Sequence, residues 1–121
     1  MKFIIDRNKW LRGEGSTASC LLRPEDGKMC CLGLFLKSLG SSDESLKDLS
    51  TPADIDPTNS VVPEWLVCHS PYRPNGIGCP ADVSSIMDAN DNMDLSEDYR
   101  EHLVEKFFAS KGIEVVFQDN E

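Results

Sequence analysis

The sequence predicts a small single α+β domain, in which a short β-sheet from an N-terminal strand, a hairpin and a C-terminal strand packs on two main helices. Three observations predict it. Residues 2–6 and 113–117 are β-rich runs at opposite ends of the chain. Residues 97–111 repeat apolar side chains every three or four positions, as one helix face does. Residues 31–39 are apolar on nearly every side and stop at Gly40, as a central helix with a glycine cap does. A length of 121 residues fits one domain over 1–121. Such a chain buries roughly 65% of its unfolded surface.

Each element has a local cause. Phe3, Ile4 and Ile5 are the apolar body of the first strand. Residues 6–11 read as one helical turn that carries Trp10 and ends at Gly13. Residues 19–22 and 28–31 flank a Pro-Glu-Asp-Gly run at 24–27. There proline presets φ and glycine accepts a positive φ, which predicts a hairpin. Residues 41–80 hold every proline except Pro24. Within them, 41–44 open a short helix through Leu46 and Leu49, and Pro63 starts another that turns Trp65 inward. Residues 68–80 read as an irregular surface segment, the kind of stretch that often carries function. Val83, Ile86 and Met87 form an apolar patch at near-helical spacing, followed by an acidic, turn-rich loop over 88–92. Ser96 caps the helix over 97–111, whose stripe is Tyr99, Leu103, Val104, Phe107 and Phe108. Gly112 stops it, and pairing of 113–117 with 2–6 would tie both ends into one sheet.

Charge narrows the partners. The chain has 21 acidic and 12 basic residues, a net charge of −9. That opposes direct nucleic-acid binding, which needs cations to displace phosphate counterions. It also opposes anionic membranes and suits a basic partner protein. No run approaches the roughly 18 apolar residues of a membrane span, and residues 1–15 lack the apolar core of a signal peptide. The cytosol is the expected location. Five cysteines, an odd number, then read as free thiols rather than a disulfide framework.

Four sets of residues have the chemistry for a site. Cys31 begins a helix, where free N–H groups lower a thiol's pKa, and His69 or His102 would be its base. Its neighbours Leu32, Leu34 and Phe35 favour a buried thiol instead, so no catalytic residue is assigned. Cys68, His69 and Cys79, with Cys30 or Cys31, have the ligand types for zinc but lack a Cys-x-x-Cys knuckle. Asp88, Asn90 and Asn92 match the first ligands of an EF-hand loop. Met93 and Tyr99 then stand where glycine and the bidentate glutamate are needed. A turn capped by its own Asn and Asp is the simpler reading. No metal or cofactor is expected. Arg7, Lys9, Arg12, Arg23 and Lys28 gather along the N-terminal third as a solvated face or a small basic pocket.

Trp10-Leu11-Arg12-Gly13, then Leu21-Leu22, then a Gly-Lys-Met-Cys-Cys-Leu-Gly run at 27–33, then Asn90-Asp91, then a C-terminal helix ending in Gly112-Ile113 form a pattern. It resembles small uncharacterised proteins of bacteriophages and prophages. The resemblance implies a phage origin and supplies no mechanism. The expected function is a non-catalytic phage-type effector that binds a host protein. Its target would be a basic surface of a nucleic-acid-handling complex, as for an inhibitor of an antiviral defence system such as CRISPR. Contact residues are expected at Asp88, Asn90, Asp91 and Asp94, at Trp10 and Arg12, and at Tyr72 and Arg73. The alternative is a nucleotide-signal binder, with Trp10 or Trp65 stacking the base and Arg12 or Arg23 holding phosphate. A third reading is a Cys31-dependent enzyme.

Overall fold

The computed structural model describes residues 1–12, 20–55 and 62–119. Its chain order is β1 (Lys2–Asp6), α1 (Cys31–Ser38), α2 (Asp43–Leu46), β2 (Cys68–His69), β3 (Ile77–Gly78), α3 (Ala81–Asp91), α4 (Glu97–Ala109) and β4 (Glu114–Gln118). Single 3₁₀ turns lie at Pro52–Asp54 and Glu64–Leu66. This is an α+β domain. The predicted Gly13 helix end and Val61 lie outside the described residues.

The two chain ends meet in one sheet. β1 and β4 run parallel, in register from Lys2↔Glu114 to Asp6↔Gln118. Phe3 and Ile5 alternate inward, and Val115 faces the core with them. Onto this face pack α1 and α4, through an aromatic cluster. Phe3 meets Phe35 at 5.3 Å and Phe108 at 5.1 Å between ring centroids, both edge-on. Trp65 closes the cluster, 5.5 Å from Phe35 and 5.8 Å from Phe107. Pro63 does start a turn that carries this indole inward, although the turn is 3₁₀ rather than α. The predicted Ser96 cap holds, accepting an N–H at the start of α4, and Ser42 does the same at the start of α2. Gly40, past the end of α1, takes the positive φ of 105° that a side chain would resist.

Four expectations change. The predicted hairpin is a turn without a strand ladder: Arg23 N–H reaches Lys28 O at 2.8 Å and Cys30 N–H reaches Cys20 O at 3.1 Å, but Leu21 and Met29 between them bond to other segments. Leu21 N–H donates to Leu49 O at 2.7 Å, and Met29 is held between Lys9 and Leu11. The sheet is therefore β1 and β4 alone, with β2 and β3 a separate antiparallel pair. Residues 6–11 make a turn closed by Lys9 N–H to Asp6 O at 3.0 Å and then a bridge at Trp10, not a helical turn. The segment 68–80 is partly regular, because β2 and β3 make a small hairpin. The expected acidic loop over 88–92 is mostly helix, since α3 runs on to Asp91.

Close backbone contact sets one position. Gly33 lies on the face of α1 against Leu21, where an added Cβ would stand 1.9 Å from the Leu21 carbonyl oxygen. Only glycine lets α1 lie this near the segment that carries Leu21.

Candidate functional site

The start of α1 is a polar node inside the core. Cys30 stands at the N-cap without a side-chain acceptor of its own for the helix. The acceptor comes from α3: Asn90 Oδ1 takes the Cys31 N–H at 3.2 Å and the Trp10 indole N–H at 2.7 Å. Asn90 Nδ2 donates to Leu11 O at 2.9 Å. One amide thus ties α1, α3 and the segment after β1, and Asn90 is only 1% exposed. A buried polar group is tolerated when its partners are complete, as they are here.

This node decides the thiol question. Burial pushes Cys30 up to about 12, against the pull of the Gly33 and Leu32 N–H groups. Burial raises Cys31 well above its ordinary value too. Desolvation outweighs the helix N-terminus, so both remain thiols at neutral pH. The space beside them, lined by Cys30, Cys31, Ser50, Met87, Asn90 and Asp91, is about 10 Å³. That is room for about one water and no substrate. His69 and His102 are both exposed and cannot serve a sealed thiol as base. The Cys31 enzyme reading fails on this burial.

The expected stacking and phosphate groups are also engaged. Trp10 is buried, stacks on Phe117 at 5.6 Å and carries the Arg12 guanidinium 4.4 Å from its ring centre. Arg12 Nε donates to Glu97 at 2.5 Å. Arg7 makes a two-toothed pair with Glu101 at 2.8 Å, which holds the guanidinium more firmly protonated. Arg23 closes on Asp26. Arg7, Arg12 and Arg23, read as part of a solvated face or a small basic pocket, are therefore engaged in ion pairs within the chain. Trp10 offers no open face to a base, and Asn90 offers no side chain to a partner.

No zinc set forms. β2 points adjacent Cys68 and His69 to opposite faces, and Cys79 Sγ lies 2.7 Å from Thr51 Oγ1. Among the described residues no three His, Cys, Asp or Glu side chains gather as a metal requires. The calcium pattern at 88–92 is lost because Asp88 and Asn90 belong to α3. No helix among the described residues is long and apolar enough to cross a membrane.

The open site lies between α3 and α4. The helices pack antiparallel, held at one end by Lys111 Nζ on Asp82 at 2.6 Å and at the other by Arg100 on the α3 carbonyls. Arg100 is a buried cation that sequence reasoning missed. It donates to Ala89 O at 3.3 Å, to Asn92 O and to Glu97, and so satisfies the last carbonyls of α3. Outside this brace runs a groove of about 480 Å³. Ile86, Ala89, Leu103 and Phe107 form its apolar floor, and Lys106 lies at its Asp82 end. Tyr99 precedes Leu103 by four residues and so extends the same face toward the α3–α4 turn. There Met93 is 62% and Tyr99 52% exposed.

Free acids surround that turn. Asp88, Asp94 and Asp98 are exposed and form no ion pair among the described residues. Six other carboxylates, Asp26, Asp43, Asp54, Asp82, Glu97 and Glu101, each meet a cation. The contact residues expected at Asp88 and Asp94 are thus free and outward, and Asp91 is half-buried beside Asn90. A second projection is the tip of the β2–β3 hairpin. Tyr72 is 94% exposed there. Arg73 pairs with Asp54, and Asn75 Nδ2 donates to Ala53 O at 3.0 Å, so the loop is braced from below.

No protein-family model matches this sequence, and neither a curated protein nor a solved structure matches it.

Proposed function

We propose that the chain is a non-catalytic binding protein whose α3–α4 groove takes a basic amphipathic helix of a partner protein. The observation that supports it is an open apolar groove between α3 and α4, on a face of a protein that also exposes three unneutralised acids on these helices and the turn that joins them. An apolar helix face fits Ile86, Ala89, Leu103 and Phe107. Lys or Arg at the helix end nearer the α3–α4 turn would meet Asp88, Asp94 and Asp98. Exposed Met93 and Tyr99 would gain contact area there. The net charge of −9 would speed encounter with a basic surface. Joined to the resemblance to phage proteins, this reading makes the chain an effector acting in the host cytosol. Its target would be a basic protein of a nucleic-acid-handling complex, for example one serving antiviral defence.

The test has two arms. A synthetic Lys/Leu amphipathic helical peptide, titrated into labelled protein, is expected to shift NMR signals of 82–89 and 99–110 and leave Tyr72 unmoved. Immobilised protein is expected to retain from bacterial lysate a partner that Leu103→Glu and Ala89→Glu lose and Tyr72→Ala keeps. Retention of the same partner by both groove variants, or peptide shifts centred away from the groove, would overturn the assignment.

A further inference from the structure

A two-stranded pair has an outer edge on each strand, and the direction of the hydrogen bonds identifies the residues on the outer edge of β1. Arg7 N–H donates to Gln118 O at 2.8 Å, and Glu114 N–H donates to Met1 O at 3.0 Å. In a parallel pair, alternate residues turn both backbone groups toward the neighbour. Residues 1, 3, 5 and 7 therefore face β4, and Lys2, Ile4 and Asp6 face away. On that side the sheet ends. Among the described residues, the one backbone bond made by these outward groups is Lys9 N–H to Asp6 O, at 3.0 Å.

The same three residues carry the side chains of the open face. Ile4 is 49% exposed and stands opposite Val116 in the register. Parallel strands are normally covered on both faces, so an exposed isoleucine at the centre of this pair is out of keeping. Lys2 forms no ion pair among the described residues. One carboxylate oxygen of Asp6 accepts the Asn8 N–H at 3.0 Å, which leaves the other free.

The charges along this edge are self-complementary. β1 reads Lys-Phe-Ile-Ile-Asp, with a cation at one end, an anion at the other and Ile4 at the centre. We propose that β1 is a self-association edge, where two copies of the chain pair antiparallel about a two-fold axis at Ile4. Lys2 then stands opposite Asp6 of the second copy, Ile4 opposite its counterpart, and the reverse pair closes the other end. All three residues already point their backbone groups across this axis, so no strand has to turn over. The product is a four-stranded sheet with Ile4 and Val116 of both copies side by side. A five-residue edge is short, so the dimer is weak and concentration-dependent.

Sedimentation velocity over a concentration series tests it, with far-UV circular dichroism to confirm folding. The wild-type chain is expected to sediment increasingly as a dimer. Lys2→Asp alone and Asp6→Lys alone each place like charges opposite one another. Each is expected to weaken self-association about tenfold or more. An equimolar mixture of the two variants puts opposite charges back at both ends and is expected to associate at least as well as wild type. Ile4→Pro removes an N–H that points away from β4, so the fold is expected to survive while the dimer is lost. A wild-type chain that stays monomeric at the highest NMR concentration would overturn the proposal. So would association that ignores the charge variants, or a mixture no better than either variant alone.

Discussion

Asn90 and Asp88 lie two residues apart on α3 and live in different worlds. Asn90 points into the core, where it completes the start of α1 and holds the Trp10 indole. Asp88 points into water with no cation to meet it. Two residues along a helix are roughly 200° apart around its axis, which is enough to separate an interior strut from an exterior contact. The comparison extends to what surrounds them. Beside Asn90, burial silences two thiols at a helix N-terminus that in water would be reactive. Around Asp88, an apolar groove and unpaired acids are left facing solvent. Polar residue type alone assigns neither role; the side of the helix does.

The sharpest way to break the contrast is to label thiols in the folded protein. Exposed Cys68 is expected to react at the rate of an unfolded thiol, and Cys30 and Cys31 more than about a thousandfold slower, since they are reached through global opening. Equal rates for Cys31 and Cys68 would mean that the α1 node is not sealed. Next in size is Asn90→Ala. It strands the Trp10 and Cys31 N–H groups and the Leu11 carbonyl, and is expected to cost about 3 kcal/mol in chemical denaturation. Asp88→Ala, two residues away, is expected to change stability by less than about 0.5 kcal/mol.

Gly33→Ala follows. Alanine is the better helix former, yet its Cβ would meet the Leu21 carbonyl, so a loss of about 2 kcal/mol is expected where propensity alone predicts a gain. A higher melting temperature for this variant would refute the close approach. Smaller again is the effect of acid. Burial pushes Glu97 up, but Arg12 and Arg100 outweigh it and hold the carboxyl below its ordinary 4.5. A lowered folded-state pKa stabilises above pH 4.5, and that contribution drains away as pH falls through the folded value. The side chain is more than half exposed, so solvent discounts the effect. Thermal melts between neutral pH and about pH 3 are expected to fall slightly less steeply for Glu97→Gln than for wild type.

Much of this framework was written locally. The capping serines, the glycine after α1 and the apolar stripe of α4 each act within a few residues of themselves, so sequence spacing reveals them. The predicted hairpin failed for the opposite reason. Leu21 and Met29 have good turn chemistry between them, but Leu49 and the Lys9–Leu11 segment outbid that turn for their backbone groups. Asn90 was read as part of an acidic loop, although a signal was there. Val83, Ile86 and Asn90 fall on one helical face, and a polar residue continuing an apolar stripe is a buried one. Arg100 carried the same signal, four residues before Val104 on the inward side of α4. The groove had no local signature at all, because its two walls come from different helices.

Parallel pairing of β1 with β4 has a consequence for how the molecule is made. Lys2 must wait until residues 114–118 have been made before its strand has a neighbour. Until then Phe3 and Ile5 have no finished sheet to belong to, and the aromatic cluster lacks its roof. The sheet therefore closes only once β4 has been made. Removing β4 would leave β1 without a partner strand.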